Sequence, residues 1–192
     1  MGFLFRLNPN VKYLVAAFGF GAAVRLLPTL LAWPNPIGFD IPTYYAPVAV
    51  YFDPTSAQSW VGLFSEPNYS PLLYAAAYLL ARIVPVFLGL ALLATLLTGF
   101  LGAVIFRFLS RASELAPRQV LFATSFAVLQ VPILRMSWDL LKNELALALL
   151  LLLFTRQLYS KNGTRELSRQ IFLAALLGLT HQLTAAAGVV AL

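Results

Sequence analysis

The chain has 192 residues, of which 60% are hydrophobic and only 10% are charged, and its mean hydropathy is +0.82. Too little polar composition remains to cover a soluble domain of this length, so the sequence predicts an integral membrane protein. The net charge of +6 does not indicate nucleic-acid binding, because the basic residues are scattered between apolar runs. The absence of cysteine excludes disulfides, thiolate nucleophiles and cysteine-based metal sites.

The first predicted membrane span covers residues 11–32. At about 1.5 Å per residue, this apolar run is long enough to cross a hydrocarbon core of about 30 Å. Arg6 and Lys12 flank its start, which predicts a cytoplasmic N-terminus. Arg25 lies inside the span, where a charge is costly. Two interpretations stay open: a functional group or internal ion pair, and a side chain that snorkels toward the interface.

Residues 33–70 form a long predicted loop that contains no Lys or Arg but contains Asp40, Asp53 and Glu66. This asymmetry predicts an exoplasmic loop. Its many prolines and aromatic residues indicate short interfacial helices rather than a disordered linker. Asp40 is the first carboxylate of the chain, and it has two compatible interpretations: the cap of a short helix that begins at Ile41 and Pro42, and a group that takes part in chemistry.

The remaining spans are predicted over residues 86–106, 119–138, 140–155 and 171–192. Residues 71–84 are apolar but too few to cross a bilayer comfortably, and Pro85 interrupts them. Counting basic residues on each side favours a re-entrant or interfacial helix here, because a full crossing would move most of them outside. The predicted fold class is therefore an all-α, polytopic membrane helical bundle, forming a single module over residues 1–192.

A dense polar cluster separates the third and fourth predicted spans and consists of Arg135, Asp139, Lys142, Asn143 and Glu144. On a helix, Asp139, Lys142 and Asn143 share one face. The cluster contains no Gly or Pro, which favours a helix near the membrane surface over a solvated loop.

The last predicted span follows a basic connector over residues 156–169, with Asn162-Gly163 as its turn. His181 lies in the middle of that span, where either a functional role or a hydrogen bond in helix packing accounts for it. The chain ends in an apolar run at Leu192, which is typical of the amino-terminal part of a longer protein.

Several of these features occur in an order that resembles the start of GT-C glycosyltransferases of the protein mannosyltransferase-like group. They are an arginine late in the first span, an aspartate followed by a tyrosine pair, a proline-led P-L-x-Y segment, an arginine and an aspartate before a leucine-rich span, and Gly-Leu-x-Thr followed by a basic residue. In this chain they read Arg25, Asp40 with Tyr44 and Tyr45, residues 68–74, Arg135 and Asp139 before residues 145–154, and residues 178–181. Two positions differ from the family pattern: Ile41 stands where many relatives have a second acid, and His181 where many have lysine.

The resemblance implies transfer of a sugar from a polyprenyl-phosphate carrier to an acceptor on the exoplasmic face. It implies Asp40 as the general base and Asp139 as a second catalytic carboxylate. Substrate binding would fall to Arg25, Tyr44, Tyr45, Glu66, Arg135, Lys142, Asn143 and His181. The resemblance implies no definite cofactor; a divalent ion, Mg²⁺ or Mn²⁺, shared by Asp40 and Asp139 is the alternative.

Two other classes of protein remain open at this point. A transporter or channel subunit would line a pathway with Arg25, Asp139 and His181, and a non-catalytic membrane scaffold would use its polar residues to hold helices together. For each class we expect a multi-pass protein of the plasma membrane or of an endoplasmic-reticulum equivalent. The expected partner is the lipid bilayer, and no nucleic acid is expected to bind.

Overall fold

The computed structural model describes residues 9–35, 37–38, 41–65, 70–130, 133–135, 137, 140–159 and 164–181. The all-helical prediction is confirmed, since all regular structure in these residues is helical. The helices are α1 (Pro9–Ala32), α2 (Ala46–Tyr51), α3 (Ala57–Ser65), α4 (Pro71–Ala81), α5 (Val86–Ala112), α6 (Pro117–Val128), α7 (Leu141–Tyr159) and α8 (Thr164–Thr180), and one π-helical turn (Ile41–Tyr45) precedes α2.

The central helix is α5, which packs against α1, α4, α6 and α7. Its closest neighbour is α1, because glycines remove side chains from the contact. A Cβ atom on Gly21 would lie 2.5 Å from the Thr98 carbonyl oxygen, and one on Gly102 would lie 2.7 Å from the Ala17 carbonyl oxygen. Both approaches are shorter than a real Cβ allows, so the separation of the two helices requires glycine at these positions.

Prolines set several helix ends. Pro71 is the first residue of α4, where its missing N–H costs nothing. Pro85 follows the end of α4, and the Leu80 carbonyl there accepts the N–H groups of Ile83 and Val84 at 3.0 Å each. The chain then restarts at once as α5. The apolar run 71–106 is thereby divided into one short helix and one long helix.

Helix α6 stops at Val128, short of the end of the predicted third span at residue 138. Pro132 explains this end in part, because it has no N–H to donate to the Val128 carbonyl and disfavours helical backbone just before it. Helices α7 and α8 instead continue into the predicted polar connector, since α7 extends to Tyr159 and α8 begins at Thr164.

A hydrophobic cluster surrounds the first half of α5 and joins four segments of the chain. The π-helical turn contributes Ile41 and Tyr45, α4 contributes Tyr74, α5 contributes Leu90, and α7 contributes Leu141, all of them 4% exposed or less. This cluster brings the segment that follows the predicted first span beside the start of α7.

Two helices of the described chain are long and apolar enough to cross a membrane, namely Asn10–Ala32 and Val86–Ala112. They differ in burial: most of α5 is covered by other helices, whereas α1 exposes large apolar side chains such as Leu27, Leu30 and Leu31.

Candidate functional site

The charged centre of the fold is Arg25, whose side chain is only 1% exposed. Its Nε donates to the Ser137 carbonyl at 2.9 Å, and its Nη1 donates to the Thr29 hydroxyl at 2.6 Å. The Thr29 hydroxyl in turn donates to the Arg25 carbonyl at 2.9 Å. Arg25 is thus an internal group that ties α1 to the residues before α7, and its side chain does not extend to the surface as snorkelling would require.

Glu144 in α7 is the other fully buried charged residue of the described chain, with 0% exposure. It interacts electrostatically with Arg25, and Thr98 of α5 lies beside its carboxyl group. The Thr98 hydroxyl, however, donates to the Ala94 carbonyl at 3.0 Å. Neither carboxyl oxygen of Glu144 forms a hydrogen bond with any of the described residues. A buried carboxylate in that state is costly, so Glu144 requires a proton, a water or an ion beside it.

Two more predicted residues, Lys142 and Asn143, lie next to Glu144 in the first turn of α7. Both are half-buried, and the Asn143 side-chain oxygen is buried without a hydrogen-bond partner among the described residues. His181, half-buried directly after α8, is close enough to Lys142 for an electrostatic interaction. The start of α7 and the end of α8 therefore bring an ammonium group and an imidazole together, and the positive charge at this place is that of Lys142.

The predicted tyrosine pair lies in the π-helical turn, and its members have different surroundings. Tyr45 is 3% exposed and packs on Tyr74 with ring centroids 5.5 Å apart at 56°. Tyr44 is half-buried. Tyr45 therefore fixes the turn against α4, and Tyr44 is the more accessible of the two rings.

A small cavity of about 10 Å³ lies beside Arg25 and is also lined by Thr29, Asn35 and Ile41. A volume of this size is at the lower limit for one water molecule. Ile41, which directly follows Asp40 in sequence, lines the same cavity as Arg25. Arg25 in turn binds the Ser137 carbonyl. The chain neighbours of the two predicted catalytic aspartates thus converge on Arg25.

Asp40, Asp139 and Glu66 themselves lie outside the described residues, so their predicted roles stay predictions. Arg135 is helical and exposed. Within the described ranges, no group of three or more His, Cys, Asp or Glu side chains is placed to hold a metal ion. The shared divalent ion also stays a prediction, because both of its proposed ligands are outside those ranges.

Sequence reasoning placed Glu144 in a polar cluster but did not assign it to the site, and it did not identify Thr98 or Ser137. A signal for Glu144 was present: Leu141, Glu144 and Ala148 follow one another at helical spacing, and all three are buried. No comparable signal marks Ser137, because its contact with Arg25 uses a backbone carbonyl that every residue type has.

Comparison with known proteins adds no relative to this description. No protein-family model matches the chain, and no curated protein and no solved structure is significantly similar to it.

Proposed function

We propose that this chain acts as a membrane glycosyltransferase that transfers a sugar from a polyprenyl-phosphate donor to an acceptor on the exoplasmic face. The membrane setting is supported by the two span-length helices and by the large apolar side chains exposed on α1, α6 and α8, among them Leu31, Phe122, Phe126 and Phe172. Soluble proteins rarely expose apolar surface on this scale.

The observation that carries the proposal is the hydrogen bond from Arg25 to the Ser137 carbonyl, together with the cavity that Arg25 shares with Ile41. Ile41 directly follows Asp40, and Ser137 lies two residues before Asp139. Arg25 therefore binds the segment that precedes Asp139 and shares a cavity with the residue that follows Asp40, which supports a site that contains both carboxylates.

In the proposed reaction, Asp40 accepts the proton of the acceptor hydroxyl as its oxygen attacks the anomeric carbon of the sugar. The bond between that carbon and the phosphate oxygen breaks, and the polyprenyl phosphate leaves with the electron pair. Cations near the phosphate stabilise the charge that develops there. Lys142 is suited to this role because its ammonium group lies at the start of α7, and Arg135 because it is exposed. His181 lies near Lys142 and would contribute a neutral hydrogen-bonding imidazole, not a second charge.

We assign Arg25 a positioning role instead of substrate contact. Its side chain is buried, and Nε and Nη1 both donate to protein groups. A substrate phosphate would have to displace the Ser137 carbonyl or the Thr29 hydroxyl to reach these atoms. Asp139 orients the sugar or the neighbouring cations in this scheme.

The test is sugar transfer by the purified protein in lipid, with a radiolabelled polyprenyl-phosphate sugar as donor. We expect Asp40→Asn to reduce the transfer rate by about 10²–10⁴-fold, the usual contribution of a general base. The matched control is Asp53→Asn, an acid of the same predicted loop that is exposed and bonded only locally. Unchanged transfer by Asp40→Asn would contradict the base assignment.

One observation favours a transporter as the second candidate. Glu144 is a buried carboxyl without a hydrogen-bond partner in the described part, and such groups within membranes often bind and release protons. Proton flux in proteoliposomes that Glu144→Gln abolishes, with no sugar transfer by the unmodified protein, would select this candidate.

A further inference from the structure

An apolar groove of about 310 Å³ lies between α2, α3 and α4, on residues that the proposed reaction does not use. Its lining includes Val48, Phe52, Trp60, Tyr74, Tyr78 and Leu79. The volume is at the lower end of the roughly 300–1,000 Å³ found for ligand sites. Arg25, Lys142, Glu144 and His181 are not part of this lining.

The wall of the groove is a continuous aromatic surface. The Phe52 ring contacts Trp60 edge-on, with centroids 4.9 Å apart at 86°, and it contacts Tyr78 at 5.5 Å and 81°. The Trp60 indole N–H donates to the Pro54 carbonyl at 3.0 Å, which satisfies the polar atom of that side chain. The described surface that remains for a ligand is mostly apolar, so the groove suits a hydrocarbon chain better than a sugar.

One cation lies at the rim of this wall. The Arg82 guanidinium lies over the Tyr78 ring, with its central carbon 4.7 Å from the ring centroid. Arg82 is exposed, and no acid of the described residues forms an ion pair with it. A cation–π contact takes up no hydrogen-bond donor, so the guanidinium N–H groups remain for a phosphate.

We propose that the groove binds one acyl chain of an anionic bilayer phospholipid, with the lipid phosphate at Arg82. An apolar channel with a single basic group at its rim matches the layout of such a lipid. Tyr and Trp side chains favour the depth of the membrane interface, where a phosphate and an acyl chain meet. The described lining of the groove is almost entirely apolar, which favours a phospholipid chain over a polyprenyl-linked sugar, because the sugar would need hydrogen-bond partners.

The test uses Trp60 as a reporter, because it lines the groove. The full chain contains three tryptophans, and replacing Trp33 and Trp138 by Phe leaves Trp60 as the one tryptophan, which is excited selectively over tyrosine. The purified protein in detergent micelles is titrated with phosphatidylglycerol or phosphatidylcholine that carries brominated acyl chains, which quench tryptophan on contact. We expect half-maximal quenching by phosphatidylglycerol at about fivefold lower concentration, the effect of roughly one basic residue near an anionic lipid.

Two pairs of variants separate the groove from the cation. Ala75→Phe fills the groove, and we expect it to reduce quenching by both lipids, whereas Ile83→Phe, on an exposed residue outside the lining, leaves quenching unchanged. Arg82→Gln removes the preference for phosphatidylglycerol, and Arg82→Lys retains most of it. Arg118→Gln, which changes an exposed arginine elsewhere, has no effect.

Three results would overturn the proposal. Equal quenching by both lipids in the parent protein would show that the phosphate is not recognised. Full quenching in a correctly folded Ala75→Phe variant would show that the chain does not occupy the groove. Displacement of the brominated lipid by an equimolar amount of farnesyl phosphate would show that the occupant is an isoprenoid. None of these measurements uses sugar transfer, so failure here leaves the proposed function standing.

Discussion

Two arginines of this protein have opposite surroundings. Arg25 lies where α1, α5 and α7 meet, and Arg82 lies at the rim of the groove formed by α2, α3 and α4. Arg25 is buried and donates to protein oxygens, with Glu144 nearby. Arg82 is exposed, and its contact within the described residues is with the Tyr78 ring. Removing Arg25 therefore leaves several buried polar groups unpaired, whereas removing Arg82 changes only a surface. The same residue type should thus control stability in one place and ligand preference in the other.

The largest loss of stability is expected for Arg25→Met, which keeps the side-chain stem and removes the charge. The Ser137 carbonyl and the Thr29 hydroxyl would lose their donor, and Glu144 would lose the positive charge near it. Breaking such a buried arrangement costs about 3–5 kcal/mol. Thermal unfolding in detergent, followed by circular dichroism and size exclusion, measures this loss.

A double-mutant cycle sharpens that result. If Arg25 and Glu144 are coupled, the combined Arg25→Met and Glu144→Gln variant will be more stable than the sum of the two single losses predicts, by roughly 0.5–3 kcal/mol. Strict additivity would show that the two residues act independently, and Glu144 would then need another partner.

The second largest loss is expected at the contact of α1 with α5, for Gly21→Ala. The new Cβ would lie 2.5 Å from a backbone oxygen, which cannot move aside without displacing a helix. We expect destabilisation of about 1–3 kcal/mol, typical of overpacking. Gly19→Ala is the control, because nothing lies within 4 Å of its added Cβ. Alanine there should stabilise the helix by up to about 1 kcal/mol. Equal melting temperatures for the two variants would contradict the close helix contact.

A smaller effect on stability is expected for Arg82→Gln. Its described contact is one exposed cation–π interaction, which is worth less than about 1 kcal/mol. Its melting temperature should therefore stay near that of the parent, even though its lipid preference changes. A loss as large as that of Arg25→Met would remove the contrast between the two arginines.

The smallest effect is expected at Asp53, in the loop between α2 and α3. The Thr55 hydroxyl and N–H donate to its carboxylate at 2.7 and 2.9 Å, and these bonds lower the pKa of Asp53. Because the folded-state pKa lies below the unfolded value, the stabilisation is complete above the unfolded pKa and is lost as the pH falls through the folded pKa. Asp53→Asn should flatten the acid side of the stability curve slightly, measured as melting temperature against pH.

Much of the fold could be predicted because proline and apolar periodicity are local signals. Pro71 and Pro85 mark the start of α4 and the break before α5, as their chemistry requires. The end of α6 at Val128 was missed because the apolar run continues past it, and the prediction did not take Pro132 into account. Helix α8 (Thr164–Thr180) also begins within the polar connector, several residues before the predicted span, because hydropathy alone does not predict helix in polar residues.

The candidate site was only partly predictable, because burial and pairing depend on the whole fold. Arg25 was recognised as costly, yet its acceptor is a backbone carbonyl 112 positions away, which leaves no trace in sequence. Glu144 was grouped with a surface cluster because its neighbours Lys142 and Asn143 are polar, although helical spacing places it on the buried face. The pairing of Lys142 with His181 depends on how α7 and α8 pack together, which a single sequence does not specify.

The glycine contact between α1 and α5 has a consequence for how this protein is made. Gly102 is synthesised 81 positions after Gly21, which at roughly 5–20 residues per second is a delay of several seconds. For part of that interval α1 is outside the ribosome while the side that contains Gly21 has no partner helix. A factor that binds the nascent α1 before α5 is made would have to cover the backbone exposed at its glycines. If many copies are synthesised close together, α1 helices of neighbouring chains could instead pair with each other through these glycines.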